Sequence, residues 1–121
     1  MDSANGISGN FNFDLGSYQV YHWRGDASSD FTPNFRFDGS NSLTSNVVSG
    51  ESITATLITK NGGTARKLNG INIDGNGQTE RYLGGFGAPT GTTNAYDVYT
   101  FTLVKDAGGG WNVYISYNYY T

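Results

Sequence analysis

The sequence predicts an all-β domain, an antiparallel sandwich or barrel-like fold with long Gly/Thr loops. Three observations carry this. Apolar and aromatic residues alternate with polar ones in short runs, the pattern of half-buried strands. Turn signals rich in Gly, Asn and Asp recur between those runs. No window places apolar residues at helical spacing. With 121 residues, the chain reads as a single domain over 1–121.

The elements follow in order. Asn10–Leu15 puts Phe11, Phe13 and Leu15 on one face, and Gly16-Ser17 turns the chain. Tyr18–Arg24 carries large groups on both faces, so it is either central or covered by a neighbouring chain. Gly25–Asp30 reads as a polar loop. Phe31–Phe37 is a strand containing Pro33, which belongs at an edge or bulge because proline lacks a donor. Asn41–Ser49 is polar and weakly patterned, with room for one short strand around Leu43 or Val47. Ser52–Lys60 is a strand with Ile53, Ala55 and Leu57 on one side. Asn61-Gly62-Gly63 is a hairpin signal, with Thr64–Leu68 as the return arm. Ile71 and Ile73 mark a short strand. Residues 74–95 form the longest irregular stretch, and such stretches often carry function. Tyr96–Lys105 and Trp111–Tyr119 make a final hairpin: Tyr99, Phe101 and Leu103 share a face, as do Trp111, Val113, Ile115 and Tyr117.

Composition excludes several classes. There is no cysteine, so neither disulfides nor thiolate metal sites are available. The seven Lys and Arg residues are scattered and the formal charge is -3, unlike the clustered basic footprint of a nucleic-acid binder. No apolar run is long enough to span a bilayer as a helix. The first ten residues lack the pattern of a signal peptide.

Catalytic and metal constellations are not marked, and no cofactor is expected. A Ser-His-Asp triad would have to use His22, the single histidine, with Asp14 or Asp26. Its place among strand aromatics points instead to packing or surface. Arg24-Gly25-Asp26 spells an integrin-binding tripeptide, but three residues are too few to be specific and a strand exit is the better reading. Residues 74–80 alternate oxygen-bearing side chains with small residues, without the spacing of an EF-hand. A turn is the better reading.

The aromatics remain. Nine tyrosines and seven phenylalanines are many for a chain of this length. A β core with cross-strand pairs accounts for many of them, and the tail set Tyr114, Tyr117, Tyr119 and Tyr120 exceeds that need. Trp23, Tyr114, Tyr117, Tyr119 and Tyr120 are the candidate subunit-interface residues, since tyrosine and tryptophan suit buried interface positions. Tyr119 and Tyr120 point to opposite faces, so at least one is exposed in a monomer. Asp74, Asn76, Tyr82, Phe86 and Asn94 are the candidate contacts of a receptor or ligand loop within Ile73–Asn94. Trp23, Tyr82, Tyr114 and Trp111 are the candidate sugar platforms.

Residues 37–121 resemble a module of tailed-phage virion proteins, of the tail-fibre, tail-accessory and capsid-decoration kinds. The residues that carry the resemblance are Phe37-Asp38-Gly39, Gly50-Glu51-Ser52-Ile53-Thr54-Ala55-Thr56-Leu57, Tyr82-Leu83-Gly84-Gly85 with Pro89, and Asn94-Ala95-Tyr96-Asp97-Val98-Tyr99-Thr100-Phe101-Thr102. Tyr82 stands where related sequences often have Trp. Residues 1–36 show no such resemblance. It implies a β-rich, commonly trimeric, non-enzymatic part of the virion surface, assembling with sister subunits and other virion proteins and able to meet a host-surface glycan. The rival readings are a carbohydrate-binding module and an extracellular filament or adhesin subunit.

Overall fold

The computed structural model describes every residue except Phe86. Ten strands are present: β1 (Asp2–Gly6), β2 (Gly9–Asp14), β3 (Val20–Asp26), β4 (Phe31–Arg36), β5 (Ser52–Lys60), β6 (Asn72–Ile73), β7 (Asn76–Gly77), β8 (Glu80–Tyr82), β9 (Tyr96–Lys105) and β10 (Trp111–Tyr120). They form a six-stranded sheet in the order β1-β3-β5-β9-β10-β8 and a four-stranded sheet in the order β2-β4-β6-β7. The two sheets enclose one core, as an all-β sandwich requires. Across the interior, Phe13 stacks on Tyr21 at 4.0 Å between ring centroids, Phe35 meets Phe101 edge-on at 5.1 Å, and Phe31 meets Tyr99 at 5.8 Å.

The sheets are mixed rather than purely antiparallel. From β1 to β6 the chain crosses from one sheet to the other at each step. β1, β3 and β5 therefore stack parallel in the large sheet, and β2, β4 and β6 parallel in the small one. The alternation of apolar and polar residues cannot show this, because it is the same in either pairing sense. Only β5–β9 and β9–β10 in the large sheet, and β6–β7 in the small, are antiparallel.

Several local expectations change. β1 was not expected; its Asp-Ser-Ala-Asn-Gly run carries no apolar alternation, and backbone pairing with β3 defines it. The expected loop at 25–30 begins later, because β3 runs on to Asp26. Arg24-Gly25-Asp26 is thus strand, not loop. Arg24 Nε donates to Asp2 Oδ1 at 3.0 Å, and Asp26 pairs with Lys60 at 3.2 Å. Gly25 lies against β1: a Cβ there would sit 2.7 Å from the Asn5 carbonyl carbon. The second aromatic strand, β3, lies within its sheet between β1 and β5, and its outer face, with Val20 exposed and His22 half-buried, has no covering layer.

Pro33 lies within β4, between β2 and β6, not at an edge. Its neighbours explain how it is tolerated. Arg36 O accepts from Leu15 N on the β2 side, whereas Phe31 and Phe35 bond toward the β6 side. Pro33 shares the parity of Phe31 and Phe35, so its missing donor faces the gap between the Phe31–Leu68 bridge and the Asn34–Asn72 pair.

No hairpin forms at Asn61-Gly62-Gly63, and 64–68 is no return strand. β5 already has β3 and β9 as partners, and Asn61 is buried in hydrogen bonds of its own. Its N donates to Ala95 O at 2.9 Å, and its Oδ1 accepts from Arg66 N at 3.1 Å. Residues 41–49 hold no strand, although Leu43 is fully buried. The stretch 74–95 contains β7, β8 and a 3₁₀ turn at Leu83–Gly85.

Candidate functional site

The alternation of the large sheet sorts its residues into two faces. Tyr21, Ala55, Leu57, Tyr99, Phe101, Leu103, Val113 and Ile115 point inward and are buried. The residues between them point outward and, by register, form rows across four strands. One row is Lys60, Tyr96 and Tyr120; the next is His22, Ile58, Val98 and Asn118; the next is Val20, Thr56, Thr100 and Ser116; then come Thr54, Thr102 and Tyr114, with Arg81 beyond.

This outer face is uncharged across its middle. Its charges stand at the margins: Arg24 pairs with Asp2 and Lys60 with Asp26, and the His22 ring lies beside Asp2. Val20, Tyr96, Tyr114 and Tyr120 are all exposed, Tyr120 the most at 64%. Two shallow clefts open on it. One, of about 350 Å³, is lined by His22, Arg24, Ile58, Tyr96, Val98 and Tyr120. The other, of about 210 Å³, lies among Arg81, Leu83, Thr100, Thr102, Tyr114 and Ser116. Apolar rings among neutral hydroxyls suit a protein surface or a sugar, since both present apolar patches with unionised polar groups.

The structure separates the five tyrosine and tryptophan candidates. Tyr114 and Tyr120 lie on the outer face. Trp23 points inward and packs edge-on against Phe11 at 5.8 Å. Tyr117 also points inward, and its hydroxyl donates to Asp97 Oδ1 at 2.7 Å. Tyr119 has inward parity yet is exposed. Tyr96, Val98, Ile58 and His22 complete the face and were missed. The signal was present in the polar-side alternation of β5 and β9, but an outward Ile or Val looks unremarkable until the strands are placed side by side.

The loop candidates do not share one role, and Asp74 is a clamp. Asp74, at φ 50°, turns its carboxylate to the 37–51 insert: Oδ1 accepts from Leu43 N at 2.7 Å, and Oδ2 from Thr44 N at 2.9 Å and Thr44 Oγ1 at 2.7 Å. Trp111 Nε1 donates to Thr44 Oγ1 and Lys105 Nζ to Thr44 O, closing the same clamp. Asn94, at φ 53°, donates its N–H to Gly62 O at 2.9 Å. Asn76 is exposed in the two-residue β7. Tyr82 and Glu80 share the inner side of β8, where burial raises the pKa of both and the Glu80 charge raises Tyr82 further. Phe86 lies outside the described residues.

Asp97, from the resemblance motif, is fully buried. Besides Tyr117 it accepts from Asn61 Nδ2 at 2.8 Å and Thr92 N at 3.3 Å. Burial pushes its carboxyl up, and the hydrogen bonds pull it partly back. Burial and the neighbouring Asp97 charge push the Tyr117 hydroxyl up to about 12. The group ties loops 61–66 and 91–95 to the end of the hairpin.

His22 stands beside Asp2 at 3.1 Å. Asp14 is held by Arg36 and Asp26 by Lys60. Among the described residues, no three His, Asp or Glu side chains converge to hold a metal ion. No family model, curated protein or solved structure matches the chain.

Proposed function

We propose that this domain is a non-enzymatic structural component of a tailed-phage virion, assembling with sister subunits through the outer face of its large sheet. The observation that carries the assembly is that face: Tyr96, Tyr120, Ile58 and Val98 lie together at one end of a surface uncharged across its middle, and Tyr114 is exposed beyond a row of Thr and Ser. The virion assignment rests on the residues of the phage-module resemblance. Asp97 gives one of them a physical role, since it anchors loops 61–66 and 91–95 to the hairpin. No cofactor, nucleic acid or membrane enters this reading.

Light scattering of the purified chain tests it. A homo-oligomer is expected, a trimer being what the resemblance implies. Tyr114→Lys should weaken it while leaving the fold intact, because a charge would be desolvated in the contact. A strict monomer at high concentration overturns the assembly. A reading frame lying away from capsid and tail genes overturns the virion assignment.

The cleft of Tyr114, Thr100, Thr102, Ser116 and Arg81 favours a second reading, a glycan contact. Glycan-array binding lost in Tyr114→Ala supports it. Binding unchanged in that variant removes it.

A further inference from the structure

β10 is paired along its whole length by β9, but on its other side β8 reaches only Val113–Ile115. Beyond that point, from Tyr117 to Tyr120, the described residues offer no backbone partner on the side away from β9. This is an open strand edge, and an open edge presents unpaired N–H and C=O groups that template another strand.

The other edge strands of the sandwich each carry a charged residue or are only two residues long. β1 is short, carries Asp2, and slips register against β3 between Ser3 and Gly6. β7 has two residues. β2 ends on Asp14, which is bound to Arg36. Against these, residues 107–121 contain no charged side chain and no proline. Charge, proline and bulges are the usual guards of an edge, and this segment of β10 has none. Beside it, Tyr82, Leu83, Pro89, Ile115 and Tyr117 line an apolar cleft of about 360 Å³, with Leu83 73% exposed and Tyr119 57%.

We infer that the Tyr117–Tyr120 edge pairs antiparallel with the same edge of a second copy, joining two large sheets into one across a two-fold axis. The occupant must be a strand, because backbone groups are what the edge offers. A second copy fits because the segment is neutral, so like can lie on like without repulsion. A two-fold axis normal to the sheet and passing at Asn118 sets Tyr117 opposite the second copy's Tyr119, cross-strand aromatic pairs of the stabilising kind. It also leaves the outer face of both copies open on one side. The edge contact is therefore independent of the face contact proposed above.

The test separates them. Tyr119→Lys brings like charges near the axis and should weaken edge pairing at least about tenfold, leaving the face oligomer. Tyr114→Lys should leave an edge-paired dimer, and the double variant a monomer, all measured by sedimentation. Hydrogen exchange on the wild-type chain should show the edge-facing amides of 117–120 protected at high concentration and fast at low. If Tyr114→Lys alone gives a monomer, or those amides exchange fast while the protein is oligomeric, the edge inference falls and the face reading stands.

Discussion

The two faces of the large sheet come from the same alternation yet are in opposite states of completion. On the inner face the central rings have company: Tyr99 lies between Phe31, Phe101 and Tyr117, and Phe101 meets Phe35. The carboxylate placed there, Asp97, is bonded by three donors. On the outer face Tyr96, Tyr114 and Tyr120 stand in solvent with no opposing layer. The difference teaches where each kind of substitution should register. Inner changes should cost folding, and outer changes should cost association.

The largest effect is expected at Phe101, which is fully buried. Phe101→Ala should destabilise the domain by about 3–5 kcal/mol, measured by denaturant unfolding. A loss below about 1 kcal/mol would mean that the two sheets are not packed on it. Asp97→Ala comes next. It strands the Asn61, Thr92 and Tyr117 donors, and each buried unsatisfied group costs about 1–3 kcal/mol. The same variant should speed amide exchange in 61–66 and 91–95 first; uniform acceleration would break the idea of a local anchor.

Glu80→Gln has a smaller effect with a definite sign. The Glu80 carboxyl has its folded pKa raised by burial. Its favourable contribution is therefore complete below the unfolded pKa and is lost as pH rises through the folded one. The Gln variant should melt higher than wild type at neutral pH and match it in the acid range below the usual carboxylate pKa. A gain independent of pH would remove burial of the charge as its cause. Tyr114→Ser should be smallest, within about 0.5 kcal/mol for folding of the monomer. A large loss there would erase the distinction between the faces.

Much of the fold could be read from residue pattern. The hairpin of β9 and β10, the face shared by Tyr99, Phe101 and Leu103, and strand β5 all follow from alternation bounded by turn residues. β1 could not be read, since it is held by backbone bonds to β3 and has no apolar face. The Asn61-Gly62-Gly63 turn signal misled because Asn61 is bound to Asp97 and Thr92, distant partners that outweigh a local preference. Among the site candidates, Tyr114 and Tyr120 stayed on the outer face. Tyr117 left it for Asp97, because residues of opposite parity on one strand cannot share a face.

The sequence by itself determined the all-β class and which residues of each strand lie together, because side chains along a strand alternate sides whatever the pairing. Only the tertiary structure decided which side became core, which strands run parallel, and that β8 stops at Ile115 to leave an edge bare. Those outcomes depend on contacts between residues far apart in the chain, and no local pattern encodes the partner.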